Sequence, residues 1–202
     1  LNEHLNSSKW WDFGRKNGGL YVFTPTITKE NNEWYRGTAD AIFQNLDFLK
    51  RCHEPYVVIT SGDAIYKMDY NDVLEYHMAK KADITVVCTK ADGEDLSRFG
   101  TVKLDEEGTI TEFEEKLAES TLDMISTGIY VLRRRLLIDL IEEAAEEGKF
   151  DFVKDILVRY KNVKKVCGYI LDAYWSNIAT VDAYYQTNMD FLQSDVRRHF
   201  FK

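Results

Sequence analysis

Two runs of β-branched and apolar residues, YVVIT at 56–60 and ITVVC at 84–88, constrain the fold more than any other feature. Neither shows the apolar–polar alternation of a strand with one wet face. Unbroken runs of this length fit strands buried on both faces, as in a parallel sheet covered by helices. The segments around them alternate in kind. LYVFT (20–24) is strand-like, and TADAIFQNLDFLKR (38–51) has Ala39, Ile42, Leu46 and Leu49 at helical spacing, with Thr38 as cap and Asp40 at the positive end of the dipole. A helix over 71–81 is expected to start at Asn71 and turn Val73, Leu74, His77 and Met78 inward. TVKLD and TITEF flank the turn Glu106-Glu107-Gly108 and predict a hairpin. TGIYVL (127–132) and VKKVCGYIL (163–171) read as strands, 134–147 and 151–161 as helices, and a last helix begins near Thr180. Strands alternating with helices predict one layered α/β domain over 1–202, with a mixed, mostly parallel sheet.

Charge and composition exclude several functions. The net charge of -8 argues against nonspecific binding to nucleic acid, which depends on excess Lys and Arg. A local cationic pocket for a small phosphate remains compatible with it. No apolar run approaches the roughly 20 residues of a membrane span. Cys52, Cys88 and Cys167 have neither disulfide-framework nor zinc spacing, and are expected as free thiols in a reducing cytoplasm. His4, His53, His77 and His199 form no ligand pair at helical spacing, and the acidic EEAAEEG reads as a solvated helix face. The chain opens on Leu1 with neither a signal nor a transit peptide, as expected for a segment of a longer protein.

Ligands of open α/β sheets bind beyond the carboxyl ends of strands. There, after YVVIT, stands Ser61-Gly62-Asp63, which reads either as an ordinary turn or as a carboxylate placed to hold Mg²⁺. Tyr35-Arg36-Gly37-Thr38 leads into a helix start and reads as a simple cap or as a receptor for a base or phosphate. Lys116 ends a strand and reads as a solvated partner of its neighbouring glutamates or as a cation for a sugar phosphate. The pair Tyr174-Trp175 reads as core packing.

In combination, WYRGTADAIFQNLDFL (34–49), YVVITSGDAIYKMDY (56–70), RFGTVKLDEEGTITEFEEK (98–116), STGIYVL (126–132) and AYWSNIATVDAYYQTNMDFL (173–192) occur in an order that resembles the glucose-1-phosphate adenylyltransferase family, as does WDFGRKNGGLYVFTP (11–25). The resemblance implies a Rossmann-like sugar nucleotidyltransferase domain. It implies that the family's N-terminal strand and Gly-rich basic loop, and its C-terminal β-helix, are expected to be missing from this segment. It also implies roles. Asp63 would be catalytic and ligate Mg²⁺. Lys116 would grip the phosphate of glucose 1-phosphate, Glu115 and Ser126 would bond glucose hydroxyls, Gly100 would approach the sugar through its backbone, and Gly37 and Thr38 would lie near the adenine. The implied reaction joins ATP and glucose 1-phosphate into ADP-glucose and pyrophosphate, in glycogen biosynthesis.

The chain departs from that pattern where charge matters most. Asn177 stands where the family has its second metal aspartate, Ala179 replaces a glycine, and Ala64 stands where catalytic members have histidine. This combination is similar to GlgD-type subunits, which implies a regulatory or weakly catalytic role, a catalytic GlgC-type partner in a hetero-oligomer, and weakened Mg²⁺ binding. A fully competent adenylyltransferase, or a transferase for another sugar nucleotide, is the alternative.

Overall fold

The structure is a computed structural model that describes residues 19–25, 34–91, 95–117 and 120–201. The chain divides into two units, Leu1–Arg36 and Gly37–Lys202. In the first unit the described residues carry no helix or strand, so LYVFT does not form the expected strand. The rings of Tyr21 and Phe23 stack there with centroids 6.5 Å apart. Residues 11–18 of the WDFGRKNG motif, and His4, lie outside the described residues.

The second unit is built on a mixed sheet. Its strands are β1 (Tyr56–Thr60), β3 (Ile84–Lys90), β4 (Gly100–Leu104), β5 (Ile110–Glu115), β6 (Met124–Arg133) and β7 (Val166–Ile170). Two short strands, β2 (Ala64–Tyr66) and β8 (Trp175–Asn177), form a separate antiparallel pair. The order is β5-β4-β6-β3-β7, with β1 also bonded to β6. The α/β class and the mixed sheet agree with the sequence, but the expected majority of parallel pairings does not. Among the described residues only β3–β7 pairs in parallel, whereas β1–β6, β3–β6, β4–β5 and β4–β6 are antiparallel. The apolar runs reflect burial, which β3 attains in the middle of the sheet irrespective of its neighbours' direction. In β1 the burial is partial, with Val58 39% exposed, so YVVIT is not covered on both faces.

Helices pack on this sheet where their apolar stripes dictate. The segment 38–51 forms two helices, α1 (Thr38–Gln44) and α2 (Leu46–Arg51), separated at Asn45. The Asn45 side chain donates to the Ala41 carbonyl at 2.8 Å, and its N–H donates to the Ile42 carbonyl. The anticipated stripe survives the break: Ala39 and Leu46 are buried, and Ile42 and Leu49 pack against the core. Thr38 does not cap α1. The N–H groups of Ala39 and Asp40 instead donate to the Phe150 carbonyl, which satisfies donors that a capping side chain would otherwise meet.

Helix α3 (Tyr70–Lys80) is capped by the Asp69 side chain, which accepts from Asn71 N–H, so the cap precedes the expected Asn71. Val73 and His77 are buried as expected, but Met78 faces solvent. Helix α4 (Arg134–Glu146) buries Leu137, Leu140, Ile141 and Ala144. Its acidic face is exposed, as the charge run indicated, and Glu143 and Glu147 pair with Arg159. These bonds, together with Lys149, hold the Glu147 carboxyl down at about 2. The segment 151–161 is not one α-helix but a π-helical stretch, Phe152–Leu157, running into α5 (Val158–Tyr160). Strand β7 starts only at Val166, leaving Val163 exposed. The chain ends in α6 (Val181–Asp190), capped by Thr180, and α7 (Ser194–Phe201). All three cysteines are free, and burial raises the Cys88 thiol to about 12. No helix of the described residues is long and apolar enough to cross a membrane.

The main core lies between the sheet and α1, α2, α4 and the π-helical stretch, where Leu132 is fully buried. Leu132→Ala should cost about 2–5 kcal/mol through lost transfer energy and the cavity left behind, read as a lower urea midpoint with unchanged slope.

His77 is buried with Nδ1 2.8 Å from Thr85 Oγ1 and its ring edge-on to Tyr56. Burial first, then the Arg133 charge, holds its pKa below the ordinary value. The unfolded chain therefore binds a proton more readily than the native one, and stability rises with pH across this window. It should fall as pH drops below about 6.5, and denaturation midpoints compared with those of His77→Gln check the assignment.

Candidate functional site

The loop after β1 is fixed from two sides. Ser61 N–H donates to the Gly128 carbonyl at 3.0 Å, and Ile178 N–H donates to the Asp63 carbonyl at 2.7 Å. The register of β2 with β8, Ala64 opposite Asn177, brings the Asp63 and Asn177 segments together although they are far apart in sequence. Gly128 has φ +77, and a Cβ there would meet Ser61 Cβ at 3.0 Å, so glycine serves both the backbone angle and the close approach. On the other side, the β4–β5 hairpin pairs Gly100 with Glu115. A Cβ on Gly100 would stand 2.8 Å from Glu115 Oε2, so the bare backbone leaves room for that carboxylate.

Around these elements lies a cavity of ≈ 330 Å³ with both polar and apolar walls. That volume is at the lower end for small-molecule sites. It gathers Asp63, Gly100, Glu115, Lys116, Ser126 and Asn177, six of the eight residues singled out from the sequence. Gly37 and Thr38 do not line it. Thr38 Oγ1 accepts from Phe152 N–H at 3.0 Å, and the first donors of α1 are taken up by Phe150.

Lys116 carries its ammonium 3.6 Å from Glu115 Oε1 and is well exposed. Its backbone is left-handed, with φ 54, and its N–H donates to the Phe99 carbonyl at 3.0 Å. A non-glycine residue there costs about 1–2 kcal/mol. Glu115 is largely buried. Burial pushes its pKa up, against the opposing pull of Lys116. Its Oε2 is buried with no hydrogen-bond partner, as is Trp175 Nε1, and both residues line the cavity. An unpaired acceptor and an unpaired donor in one cavity wall are groups that a polyhydroxylated ligand can satisfy. Ser126 is buried with Oγ 3.3 Å from Tyr130 OH, whose pKa burial raises.

Sequence reasoning missed Arg98, Trp175 and Tyr130. Trp175 was assigned to packing, which its edge-on contact with Phe99 at 5.6 Å partly justifies, but its N–H faces no acceptor. Arg98 was legible only as the first letter of RFG. In the structure its Nη2 donates to Asn177 Oδ1 at 2.9 Å, and its guanidinium lies 5.4 Å from the centre of the Phe99 ring.

These contacts decide whether a divalent ion fits. Mg²⁺ requires oxygen lone pairs in a near-octahedral array. Asn177 Oδ1 already accepts from Arg98 and, at 3.1 Å, from Ala179 N–H. An amide oxygen has two lone pairs, and both are engaged. Both neighbours are donors, which also fixes which amide atom faces them. Asp63 Oδ1 accepts from Ser61 Oγ. A guanidinium thus sits against the oxygen that would otherwise face a metal, so Asn177 does not fit as a Mg²⁺ ligand and Asp63 is the one carboxylate of the pair left to offer an oxygen.

The nucleotidyl transferase family profile matches residues 1–194. The chain is 39% identical over 193 residues to the glucose-1-phosphate adenylyltransferase of Lachnospira eligens, a match covering 95% of this chain and 46% of that protein. It is 38% identical over 205 residues to the glucose-1-phosphate adenylyltransferase of Bacillus subtilis, covering 100% of this chain and 54% of that protein. For the enzyme of the same name from Thermotoga maritima the identity is 35%, covering 95% and 46%. The chain therefore spans about half the length of these relatives. With its mixed α/β sheet, its cavity walled by Asp63, Glu115 and Lys116, and a family match over nearly its whole length, the chain belongs to the nucleotidyl transferase family.

Proposed function

We propose that this chain is the sugar-phosphate-binding part of a regulatory or weakly catalytic glucose-1-phosphate adenylyltransferase subunit. The reaction of such an enzyme is attack by a phosphate oxygen of glucose 1-phosphate on the α-phosphorus of ATP. The bond from that phosphorus to the bridging oxygen breaks, and pyrophosphate leaves. Lys116 holds the sugar phosphate, Glu115 and Ser126 accept or donate to glucose hydroxyls, and Gly100 lets the hairpin backbone approach the ring. The names of the relatives support the substrate pair, and the cavity's mixture of cation, carboxylate and hydroxyl supports the sugar phosphate in particular. The observation that carries the weakly catalytic reading is Asn177. A neutral amide whose oxygen is saturated by Arg98 and Ala179 adds no negative charge beside Asp63 to recruit counter-charge for a polyphosphate. A catalytic GlgC-type subunit, in a hetero-oligomer located in the cytoplasm, completes the proposal.

The full-length protein should release pyrophosphate from ATP and glucose 1-phosphate slowly, about a hundredfold or more below a competent transferase, because a removed electrostatic stabiliser costs about that much. Adding the catalytic-type subunit should raise the rate beyond that subunit's own. Robust turnover by the full-length protein alone overturns the regulatory reading.

Glu115 should set an acid limit on glucose 1-phosphate affinity. Its raised pKa means that the carboxylate gains a proton at a pH above the usual glutamate value of about 4.3, and the ionised acceptor is lost as pH falls through that point. Glu115→Gln should weaken binding about tenfold near neutrality. It should also remove the limb that wild type shows beyond the ligand's own phosphate titration, which both proteins share. Calorimetric titrations of the two proteins across pH measure the difference.

A further inference from the structure

We infer that Arg98 takes the place of a divalent cation in this cavity, so that the chain binds a sugar phosphate without metal. The inference rests on the reading of the cavity as a sugar-phosphate site. It goes further in assigning the counter-charge to a side chain.

Three observations converge. First, Arg98 Nη2 occupies one lone pair of Asn177 Oδ1 at 2.9 Å and Ala179 N–H occupies the other, so a metal would have to displace two donors to reach that oxygen. Second, the guanidinium is held in place. Asn177 binds one nitrogen, the Phe99 ring lies beneath it, and its backbone belongs to a short turn, Leu96–Arg98, capped by the Asp95 side chain. Phe99 is itself buried and packed edge-on against Trp175, so the platform under the cation is fixed. Third, one guanidinium N–H is engaged by Asn177 while a guanidinium has five, so donors remain for an anion in the cavity that Arg98 lines.

Arg98 and Lys116 stand against Asp63 and Glu115 in the cavity wall. A planar guanidinium suits phosphate oxygens in a two-pronged contact that an ammonium cannot make. A positioned guanidinium is charge compensation already in place, whereas a metal ion must be drawn from solution. Replacement of a carboxylate by Asn at 177 is then coherent. A carboxylate would pair with Arg98 and neutralise it, whereas the neutral amide orients the guanidinium and leaves its charge for the ligand.

The test is a calorimetric titration of glucose 1-phosphate into the full-length protein, once in EDTA and once in millimolar Mg²⁺. The dissociation constants are expected to agree within about twofold, because no bond to the ligand passes through the ion. Arg98→Gln should weaken binding about tenfold or more in both buffers, with a thermal unfolding midpoint close to wild type. Tightening of wild-type binding by tenfold or more in Mg²⁺ overturns the inference but leaves the sugar-phosphate reading intact. Unchanged affinity in a folded Arg98→Gln also overturns it. Should that variant not fold, the comparison of buffers on the wild-type chain decides. Absence of binding in both buffers overturns the sugar-phosphate reading and the inference together.

Discussion

Strand β6 is the element on which the second unit depends. It bonds to β3 along one edge and, on the other, to β1 along its later residues and to β4 near its start. One strand can serve three partners because it is ten residues long and buried along nearly its whole length. The same arrangement determines where chemistry can occur. Between the stretches bonded to β4 and to β1 lie Ser126, Thr127 and Gly128, where the pairing with β3 shifts register at Val87 and Cys88. Open α/β sheets commonly receive ligands where strands end, and here a ladder irregularity and strand ends coincide beside the loop that carries Asp63.

Much of this was legible in the residues. The hairpin at 101–113, the core stripe of Ala39, Ile42, Leu46 and Leu49, and the inward Val73 and His77 follow from local periodicity, and the structure contains them. The failures have more than one cause. Strand direction is decided by partners distant in sequence, which no window of ten residues contains. The break at Asn45 and the π-helical stretch at 152–157 are held by local side-chain bonds, of Asn45 to Ala41 and of Asp151 to Val153 and Lys154, which periodicity does not display. Capping fails in both ways: the distant Phe150 carbonyl takes the donors that Thr38 was expected to meet, and Asp69, two residues before Asn71, is the nearer cap of its helix.

The cavity divides along the same line. Asp63 and Lys116 could be proposed one by one, because each follows a strand, whereas Glu115 and Ser126 come only with the resemblance. Arg98 could not, since its significance lies in the atom it touches 79 residues away. Asn177 was legible as a departure from a familiar pattern, but its two engaged lone pairs are a fact of geometry alone. Taken in isolation, the substitution is a deletion of charge. With Arg98 placed against it, the proposed reading becomes a change in the kind of positive group offered to a ligand.

The left-handed backbone at Lys116 bears on how the chain can drift over generations. Glycine or asparagine would relax that residue, so selection for folding alone favours replacements that delete the ammonium. A lineage freed from binding an anion in this cavity would be expected to lose lysine there early, and to do so with a gain in thermal robustness. If Lys116 holds the sugar phosphate as proposed, it stands where folding and recognition pull in opposite directions.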